Sequence, residues 1–260
     1  MTLEPLKHKT IVVTGGTSGL GFGSAQRLLR DWNDLHVALL DMKEGRLGEL
    51  ISEFGTDRIK FWKTDVSDYQ AVQNSFENLL NWRGEFSGLI AAAGFSANKA
   101  SIETTPEEWR AMVGCHLDGT FFCNQAAGRF WIKNKLRGSI VNFSSISHIF
   151  GWPRRTAYAA AKAGIDSITR TLAVEWAEFG IRVNAVVPGY INTPLLEEAL
   201  NSGRVDPSVR TMHAMERFGE APEIAAGVKF LISDEASYIT GEMLTIDGGF
   251  TPKRISWNRD

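Results

Sequence analysis

The chain has 260 residues, which suits one large domain or two small ones and is long enough to bury a core without disulfide or metal support. Hydrophobic residues make up 43% and charged residues 22%, and the net charge is −2, which excludes a protein held on nucleic acid or acidic lipid by charge alone. No apolar stretch is long enough to span a membrane, and residues 1–8 contain no apolar run typical of a signal peptide. Cys115 and Cys123 would lie about 12 Å apart on one helix, too far for a disulfide. We therefore expect a reducing, cytoplasmic setting.

Short apolar stretches alternate with longer amphipathic ones along the whole chain. In order, the pattern predicts strands at 10–14, 35–40, 58–62, 88–92, 139–143, 181–187 and 243–246, and helices at 20–30, 44–54, 68–82, 105–134, 156–179 and from 222. Thr105 and Pro106 are typical of a helix start. This alternation predicts βαβ units in one domain over residues 1–260, an α/β fold with a three-layer, doubly wound parallel sheet of the Rossmann type. Ligands of such sheets bind beyond the carboxyl ends of the strands.

A glycine-rich loop follows the first predicted strand and opens the first predicted helix. Its candidate phosphate-binding residues are Gly15, Thr17, Ser18, Gly19, Leu20 and Gly21. Glycines allow a tight turn and close backbone approach to a pyrophosphate, and the helix N-terminus supplies free N–H groups. The spacing differs from the usual G-x-G-x-x-G, so a ligand-free turn is the alternative.

Asp41 ends the second strand, 20 residues after Gly21. A carboxylate here can accept hydrogen bonds from the ribose hydroxyls of adenosine and would repel a 2′-phosphate. Lys43 and Arg46 lie just beyond it and keep NADP open. We predict NAD as cofactor, with a capping role for Asp41 as the alternative.

Tyr158 and Lys162 lie four residues apart, on one face of the long predicted helix after the fifth strand. A free tyrosine has a pKa near 10, and a neighbouring ammonium and a positive nicotinamide ring would lower it. Ser145 follows the fifth strand, where its hydroxyl can hold a substrate oxygen while Tyr158 exchanges the proton. Together with the glycine loop, these residues predict an alcohol/ketone oxidoreductase.

These motifs resemble the short-chain dehydrogenase/reductase family in its single-domain form, over about residues 6 to 250. The matching segments are 14–21, Asp65-Val66, Ser145, Tyr158-x-x-x-Lys162, Pro188-Gly189 and Asp247-Gly248-Gly249. The resemblance implies a nicotinamide cofactor. It also implies adenine contacts by Asp65 and Val66, nicotinamide contacts by Ile191 and Thr193, and a ribose contact by Lys162. Members are commonly homotetramers or homodimers.

The chain departs from the family pattern at two places. Ala91-Ala92-Ala93-Gly94 replaces the usual Asn-Asn-Ala-Gly, which weakens a structural contact; Ala92 and Gly94 stay candidate cofactor contacts. His116 stands where the family carries an active-site asparagine that helps hold a relay water, partly through its backbone carbonyl. His116 is therefore a candidate catalytic residue, either as a titrating relay member or through its carbonyl, and a purely packed histidine is the alternative.

The segment between Ser145 and Tyr158 borders the substrate pocket in the family. It supplies the candidate substrate contacts Ser147, His148, Trp152 and Arg155. Arg155 near the phenol favours a polar or anionic substrate, with a surface or interface arginine as the alternative. Residues 193–219 are predicted to form a substrate lid.

The histidines and cysteines have no metal-ligand spacing, so no metal is expected. The leading hypothesis is an NAD-dependent oxidoreductase for a small polar substrate such as a polyol, sugar, hydroxy acid or hydroxysulfonate, with neither nucleic acid nor membrane as partner. The alternatives are an NADPH-dependent ketone reductase and a dinucleotide-binding protein with little turnover.

Overall fold

The computed structural model describes residues 10–253, and its centre is one parallel sheet of seven strands in the order β3-β2-β1-β4-β5-β6-β9. The strands are β1 (Thr10–Thr14), β2 (His36–Asp41), β3 (Ile59–Lys63), β4 (Gly88–Ala91), β5 (Gly138–Phe143), β6 (Ile181–Pro188), β7 (Ile191–Asn192), β8 (Gly219–Glu220) and β9 (Met243–Ile246). The helices are α1 (Gly19–Asp31), α2 (Leu47–Phe54), α3 (Tyr69–Arg83), α4 (Pro106–Val113), α5 (Gly119–Asn134), α6 (Thr156–Trp176), α7 (Pro194–Asn201) and α8 (Ala221–Ile232). The predicted α/β class and the number of sheet strands are confirmed.

The sheet is apolar on both faces, which explains why its strands appear in the sequence as continuous apolar runs. In β1, Ile11 and Val13 face one core, which α1, α2 and α8 cover. Val12 faces a second core, which α3, α5 and α6 cover. Trp131 of α5 is fully buried in the second core, where its indole N–H donates to the Phe86 carbonyl at 2.6 Å.

The helix predicted over 105–134 is divided into α4 and α5 by a π-helical turn at Gly114–Asp118. Its start is as predicted: Thr105 forms a capping box with Glu108, and Pro106 stands at the first position. The π turn adds an unpaired residue to the helical ladder and re-aims the side chains beyond it, a feature frequent at functional sites. Cys115 lies in this turn and Cys123 in α5, and both are free thiols.

The strand order reverses between β1 and β4, because the chain leaves β1 for β2 and β3 and then returns to β4 on the other side. Such a switch point opens a crevice at the carboxyl ends of the strands. Here the Ala93 N–H after β4 donates to Thr14 Oγ1 at the end of β1, at 3.1 Å. The Gly15 N–H donates to the Leu40 carbonyl of β2 at 2.8 Å.

Residues 193–218 leave the sheet as an excursion whose two ends are joined by the short parallel pair β7–β8. This pair was not predicted, because each strand has only two residues. The excursion includes α7 and packs through a third apolar cluster that contains Leu196, Val205 and Val209. None of the helices within the described residues is long and apolar enough to cross a bilayer.

Candidate active site

A cavity of about 560 Å³ opens at the carboxyl ends of β1, β4, β5 and β6. The following residues that the sequence singled out line it: Gly15, Ser18, Gly19, Leu20, Gly21, Asp41, Asp65, Val66, Ala92, Gly94, His116, Ser145, Ser147, Trp152, Arg155, Tyr158, Lys162, Pro188, Gly189, Ile191 and Thr193. Two of the predicted site residues, Thr17 and His148, are not part of the lining.

The glycine loop brings backbone into the cavity at the start of α1. Gly15 has φ +63°, and a Cβ on it would lie 2.8 Å from the Ala93 Cα, so only glycine fits between the ends of β1 and β4. Ser18 is the N-cap of α1, and its side chain does not cap the first-turn N–H groups. These groups and the helix dipole therefore face the cavity as an anion-binding site.

Asp41 is held in place at the far end of this loop. The backbone N–H of Thr17 donates to Asp41 Oδ2 at 3.2 Å, and the N–H of Lys43 donates to Oδ1 at 3.4 Å. Thr17 is buried, and its hydroxyl donates to the Lys43 carbonyl at 2.9 Å. Thr17 thus supports Asp41 through its backbone N–H and is not part of the cavity lining, and a direct contact between Thr17 and the cofactor stays a prediction.

The two basic residues near Asp41 differ in where they lie. Arg46 pairs with Glu49 at 2.7 Å and stacks over the Phe22 ring, with its guanidinium carbon 3.8 Å from the ring centroid. Arg46 is not part of the cavity lining, whereas Lys43 is.

Ser145 and Tyr158 meet in the cavity, where the Ser145 side chain is close enough to lower the pKa of the phenol. The Ser145 hydroxyl also donates to Ser147 Oγ and accepts from the Ser147 N–H, both at 3.2 Å, which fixes its position just after β5. Burial raises the pKa of Tyr158, and the Ser145 side chain and the charge of Arg155 oppose that rise. Lys162 was expected to lower this pKa, and the structure corrects that expectation. Burial has the larger effect and raises the pKa, and the cation that opposes the rise is Arg155.

Lys162 lies one turn beyond Tyr158 and is buried, with its Nζ 5.5 Å from the Tyr158 ring centroid. Its ammonium donates to the Phe143 carbonyl at the end of β5, at 2.6 Å. Burial lowers the pKa of Lys162 to about 8, and the nearby Asp166 and Cys115 oppose that change. The ammonium is therefore poised to lose its proton only slightly above neutral pH.

His116 sits in the π turn with 3% of its surface exposed, and its ring packs edge-on against Tyr158 at 5.2 Å between centroids. Its Nε2 lies 2.7 Å from the Phe95 carbonyl oxygen and 3.2 Å from the Phe95 backbone nitrogen, and its buried Nδ1 has no hydrogen-bond partner. Burial, together with the Lys162 charge, lowers the pKa of His116 to about 3. The idea that its imidazole titrates in a relay near neutral pH is therefore not supported.

The predicted substrate residues separate into two groups. Ser147, Trp152 and Arg155 line the cavity, and Arg155 extends over the Tyr158 ring at 5.6 Å while its Nη1 donates to Ser96 Oγ at 3.2 Å. His148 instead turns away from the cavity, with its Nδ1 3.0 Å from Ser144 Oγ and 3.1 Å from Asp166 Oδ2. His148 is thus not part of the cavity lining, and a contact between substrate and its Nε2 stays a prediction.

Several lining residues were not named as site residues by the sequence analysis. Cys115 lies in the π turn, and the others lie at or after strand ends or in the predicted lid. They are Leu40, Met42, Thr64, Ala93, Phe95, Cys115, Phe143, Ser144, Ile146, Tyr190, Pro194, Leu195 and Leu196. Burial raises the pKa of the Cys115 thiol to about 11, so this cysteine is not a nucleophile at neutral pH. Residues 10–253 contain no cluster of three or more His, Cys, Asp or Glu side chains suited to a metal ion.

Comparisons with known proteins agree with this geometry. The family model described as enoyl-(acyl carrier protein) reductase matches residues 15–251. The chain is 36% identical to a probable 2,4-dienoyl-CoA reductase of Bacillus subtilis, over 94% of this chain and 97% of that protein. It is 34% identical to an NADP-dependent mannitol dehydrogenase of Hypocrea jecorina, over 97% and 96%. The solved structure of ElxO with NADP bound superposes with a TM-score of 0.86 at 31% identity, covering 95% of this chain and all of that one. This chain belongs to the short-chain dehydrogenase/reductase family of oxidoreductases.

Proposed function

We propose that the protein is an NAD-dependent dehydrogenase that interconverts a secondary alcohol and its ketone. The observation that carries this proposal is that Ser145, Tyr158 and Lys162 line the same cavity as the glycine loop at the start of α1. A proton-exchanging phenol thus stands in one cleft with an anion-binding helix N-terminus, as dinucleotide redox chemistry requires.

The residues present suit a dinucleotide. The uncapped N-terminus of α1 would hold the pyrophosphate, and Asp41 would hold the adenosine ribose. Asp65 and Val66 would flank the adenine, and Ile191 and Thr193 would contact the nicotinamide. When bound, the nicotinamide accepts the hydride from the carbinol carbon of the substrate.

The preference for NAD over NADP rests on Asp41. Two backbone N–H groups hold its carboxylate at the cavity, where ribose hydroxyls can donate to it and a 2′-phosphate would meet a negative charge. Arg46, which could have neutralised such a phosphate, is bound by Glu49 and Phe22.

In the proposed mechanism, the substrate hydroxyl approaches Tyr158 and Ser145 together. Ser145 donates a hydrogen bond to the substrate oxygen, and the Tyr158 phenolate accepts the hydroxyl proton as the carbonyl forms. Reduction runs in reverse, with Tyr158 returning the proton. The positive charge of Arg155 favours the phenolate that the oxidation needs, and Lys162, with its Nζ 5.5 Å from the Tyr158 ring centroid, would hold the nicotinamide ribose.

We propose further that the substrate carries an anionic group, as a hydroxy acid or a hydroxysulfonate does. Both acidic residues of the cavity lining, Asp41 and Asp65, belong to the adenosine end, whereas Arg155 lies beside Tyr158. A guanidinium recognises carboxylate or sulfonate with its planar set of N–H donors, of which Arg155 commits Nη1 to Ser96 at 3.2 Å.

The test is a screen of hydroxy acids, hydroxysulfonates, polyols and sugars with NAD and NADP, in which reduced cofactor is measured. Tyr158→Phe should lower turnover by at least about 10²-fold while cofactor binding persists. Arg155→Gln should raise KM for an anionic substrate about tenfold or more and change KM for neutral alcohols little, and Arg154→Gln is the control outside the cavity. Near-normal turnover of Tyr158→Phe contradicts the mechanism, and a wild-type preference for neutral alcohols contradicts the anionic substrate.

A second candidate function is an NADPH-dependent ketone reductase. Lys43 favours it, because this lysine lines the cavity next to Asp41 and could bind a 2′-phosphate. The cofactors named for the mannitol dehydrogenase and for ElxO are also NADP. Comparison of kcat/KM for NAD and NADP in both reaction directions decides between the two functions.

A further inference from the structure

A group of three polar residues lies next to Lys162 and is unused by the mechanism above; one of them, Ser144, lines the cavity, and the other two do not. It consists of Ser144 at the end of β5, His148 in the following 3₁₀ turn, and Asp166 of α6. Asp166 is 5% exposed and Ser144 is 3% exposed, so this is a buried carboxylate with a buried hydroxyl beside it. Burying a carboxylate costs free energy of folding unless the carboxylate is paired, so we looked for the contacts that offset this cost.

The geometry fixes how the three residues share their protons. His148 Nδ1 lies 3.1 Å from Asp166 Oδ2 and 3.0 Å from Ser144 Oγ, and one ring N–H can serve both oxygens as a shared donor. The Ser144 hydroxyl then donates to the Lys162 carbonyl at 3.5 Å. The His148 backbone N–H donates to the Ser145 carbonyl at 3.2 Å. The network therefore joins the turn that carries Ser145 to the helix that carries Tyr158 and Lys162.

Asp166 also stands one helical turn after Lys162, about 6 Å along the axis. The groups that face the Lys162 ammonium are the Tyr158 ring and Asp166 from α6, Cys115 and His116 from the π turn, and the Phe143 carbonyl from β5. Cys115 is a neutral thiol and His116 a neutral imidazole at neutral pH, because burial moves the pKa of the thiol up and that of the imidazole down. Asp166 is therefore the carboxylate that offsets the desolvation of this ammonium within the described residues.

We propose that Ser144, His148 and Asp166 form a buried positioning clamp that holds the Ser145 turn against α6 and supplies the negative charge that keeps Lys162 protonated. Asp166 and His148 are positioning residues, since they act through Lys162 and Ser145. The proposal rests on the proposed role of Lys162 in the reaction.

The charge half of the proposal is tested with Asp166→Asn, which keeps an acceptor oxygen for His148 and removes the charge. The pKa of Lys162 is measured by NMR of the lysine ¹³Cε signals, with Lys162→Met used to assign the signal. Loss of the unit charge one helical turn away along α6 should lower the pKa of Lys162 by about one pH unit. Glu175→Gln is the matched control, because it removes a carboxylate from the same helix about 20 Å from Lys162 and should leave the titration unchanged.

The same shift should appear in cofactor binding. The Kd for NAD, measured by tryptophan fluorescence between pH 6 and 10, should begin to rise about one pH unit lower in Asp166→Asn than in the wild type. If the NMR titration shifts while NAD fails to bind at any pH, the clamp stands and the proposed function fails. If Asp166→Asn melts at a lower temperature but the Lys162 titration is unmoved, Asp166 is merely structural and the proposal is overturned.

The positioning half is tested at His148. The amide of Asn can replace the Nδ1–H donor, so His148→Asn should keep kcat within about threefold, whereas His148→Phe removes the donor and should lower kcat about tenfold or more with KM changed little. If kcat is preserved in His148→Asn but not in His148→Phe, the hydrogen-bond donor of His148 and not merely its side-chain volume supports catalysis. Equal losses in kcat for the two variants, or none, would overturn the proposed clamp.

Discussion

At the scale of single residues, Asp41 is the position where cofactor choice can be changed most cleanly. Two backbone N–H groups donate to its carboxylate, and a serine hydroxyl in its place removes the charge while it keeps an acceptor oxygen for this turn. Asp41→Ser should lower the ratio of kcat/KM for NAD over NADP about tenfold or more, because the repulsion of a 2′-phosphate is removed. Steady-state kinetics with both cofactors measure this ratio. A wild-type protein that uses NADP at least as well as NAD would show that this account of Asp41 is wrong.

The buried His116 predicts a pH dependence of the free energy of unfolding, which can be measured without knowing the substrate. Its folded-state pKa of about 3 lies below the ordinary value of 6.5, so between these values the unfolded chain binds a proton that the folded chain does not. Stability contributed by the neutral ring is therefore complete above pH 6.5 and is lost as the pH falls toward 3. In urea unfolding, wild type should lose about 2–3 kcal/mol more than His116→Asn between pH 7 and 4.5.

The pH–rate profile gives a second readout for the same histidine. Because the imidazole stays neutral throughout the range in which enzymes are assayed, His116→Asn should leave the profile between pH 6 and 8 unmoved. A shift of the acid limb, or equal acid sensitivity of the two proteins in urea, would mean that the ring does titrate near neutral pH in the folded state.

The sequence singled out Ser145, Tyr158 and Lys162, which the structure brings into one cavity, because their chemistry and their place after a strand end are both visible in it. It could not show that Thr17 and His148 are not part of the cavity lining, since rotamers and long-range partners such as Asp166 decide that. Nor could it show that burial outweighs the cations at Tyr158, because desolvation depends on how the other elements pack.

At the scale of elements, the long apolar strands and amphipathic helices were predictable, because period and length agree there. The π turn was not, because Gly114–Asp118 has no pattern that distinguishes one extra residue in a turn from a regular helix. This turn nevertheless places Cys115 and His116 at the cavity. The paired β7 and β8 were missed for a similar reason, since two residues are too few to show a period.

The excursion over 193–218 is the element that we expect to move. Its second half is anchored, because the Met215 N–H donates to the Gly248 carbonyl at 3.0 Å, Lys253 Nζ donates to the His213 carbonyl at 3.3 Å, and Arg217 pairs with Glu223 at 2.7 Å. Its first half, residues 194–210, is tied to the rest of the protein by the third apolar cluster and by a bond of 3.2 Å from Asn98 Nδ2 to the Arg204 carbonyl. Segments with so few ties open locally at low cost. Trypsin should cut first after Arg204 or Arg210, and NAD plus product should slow this cleavage about tenfold or more. Cleavage elsewhere first, or no protection by ligands, would contradict a lid.

At the scale of the whole molecule, the reversal of strand order between β1 and β4 decides where every site residue goes. The alternation of strands and helices predicts a doubly wound sheet but leaves its strand order open. That order places the glycine loop, the Ala92 turn and the Ser145 turn at one edge of the sheet. The lining residues come from segments far apart in the chain, and only the topology brings them into one cleft.

The assembly of the protein is predicted from the outer face of α6. Ala163, Ser167, Thr171 and Val174 recur at a spacing of three or four residues on its exposed side, and Val174 is 81% exposed. Small side chains in such a row allow two helices to approach closely, so we expect a second copy of α6 to pack there in a homodimer or homotetramer. Val174→Arg should bring like charges together across the twofold axis and lower the mass in light scattering to a half or a quarter. Asn81→Arg, on the exposed side of α3, should keep the wild-type mass, and a monomeric wild type would exclude this interface.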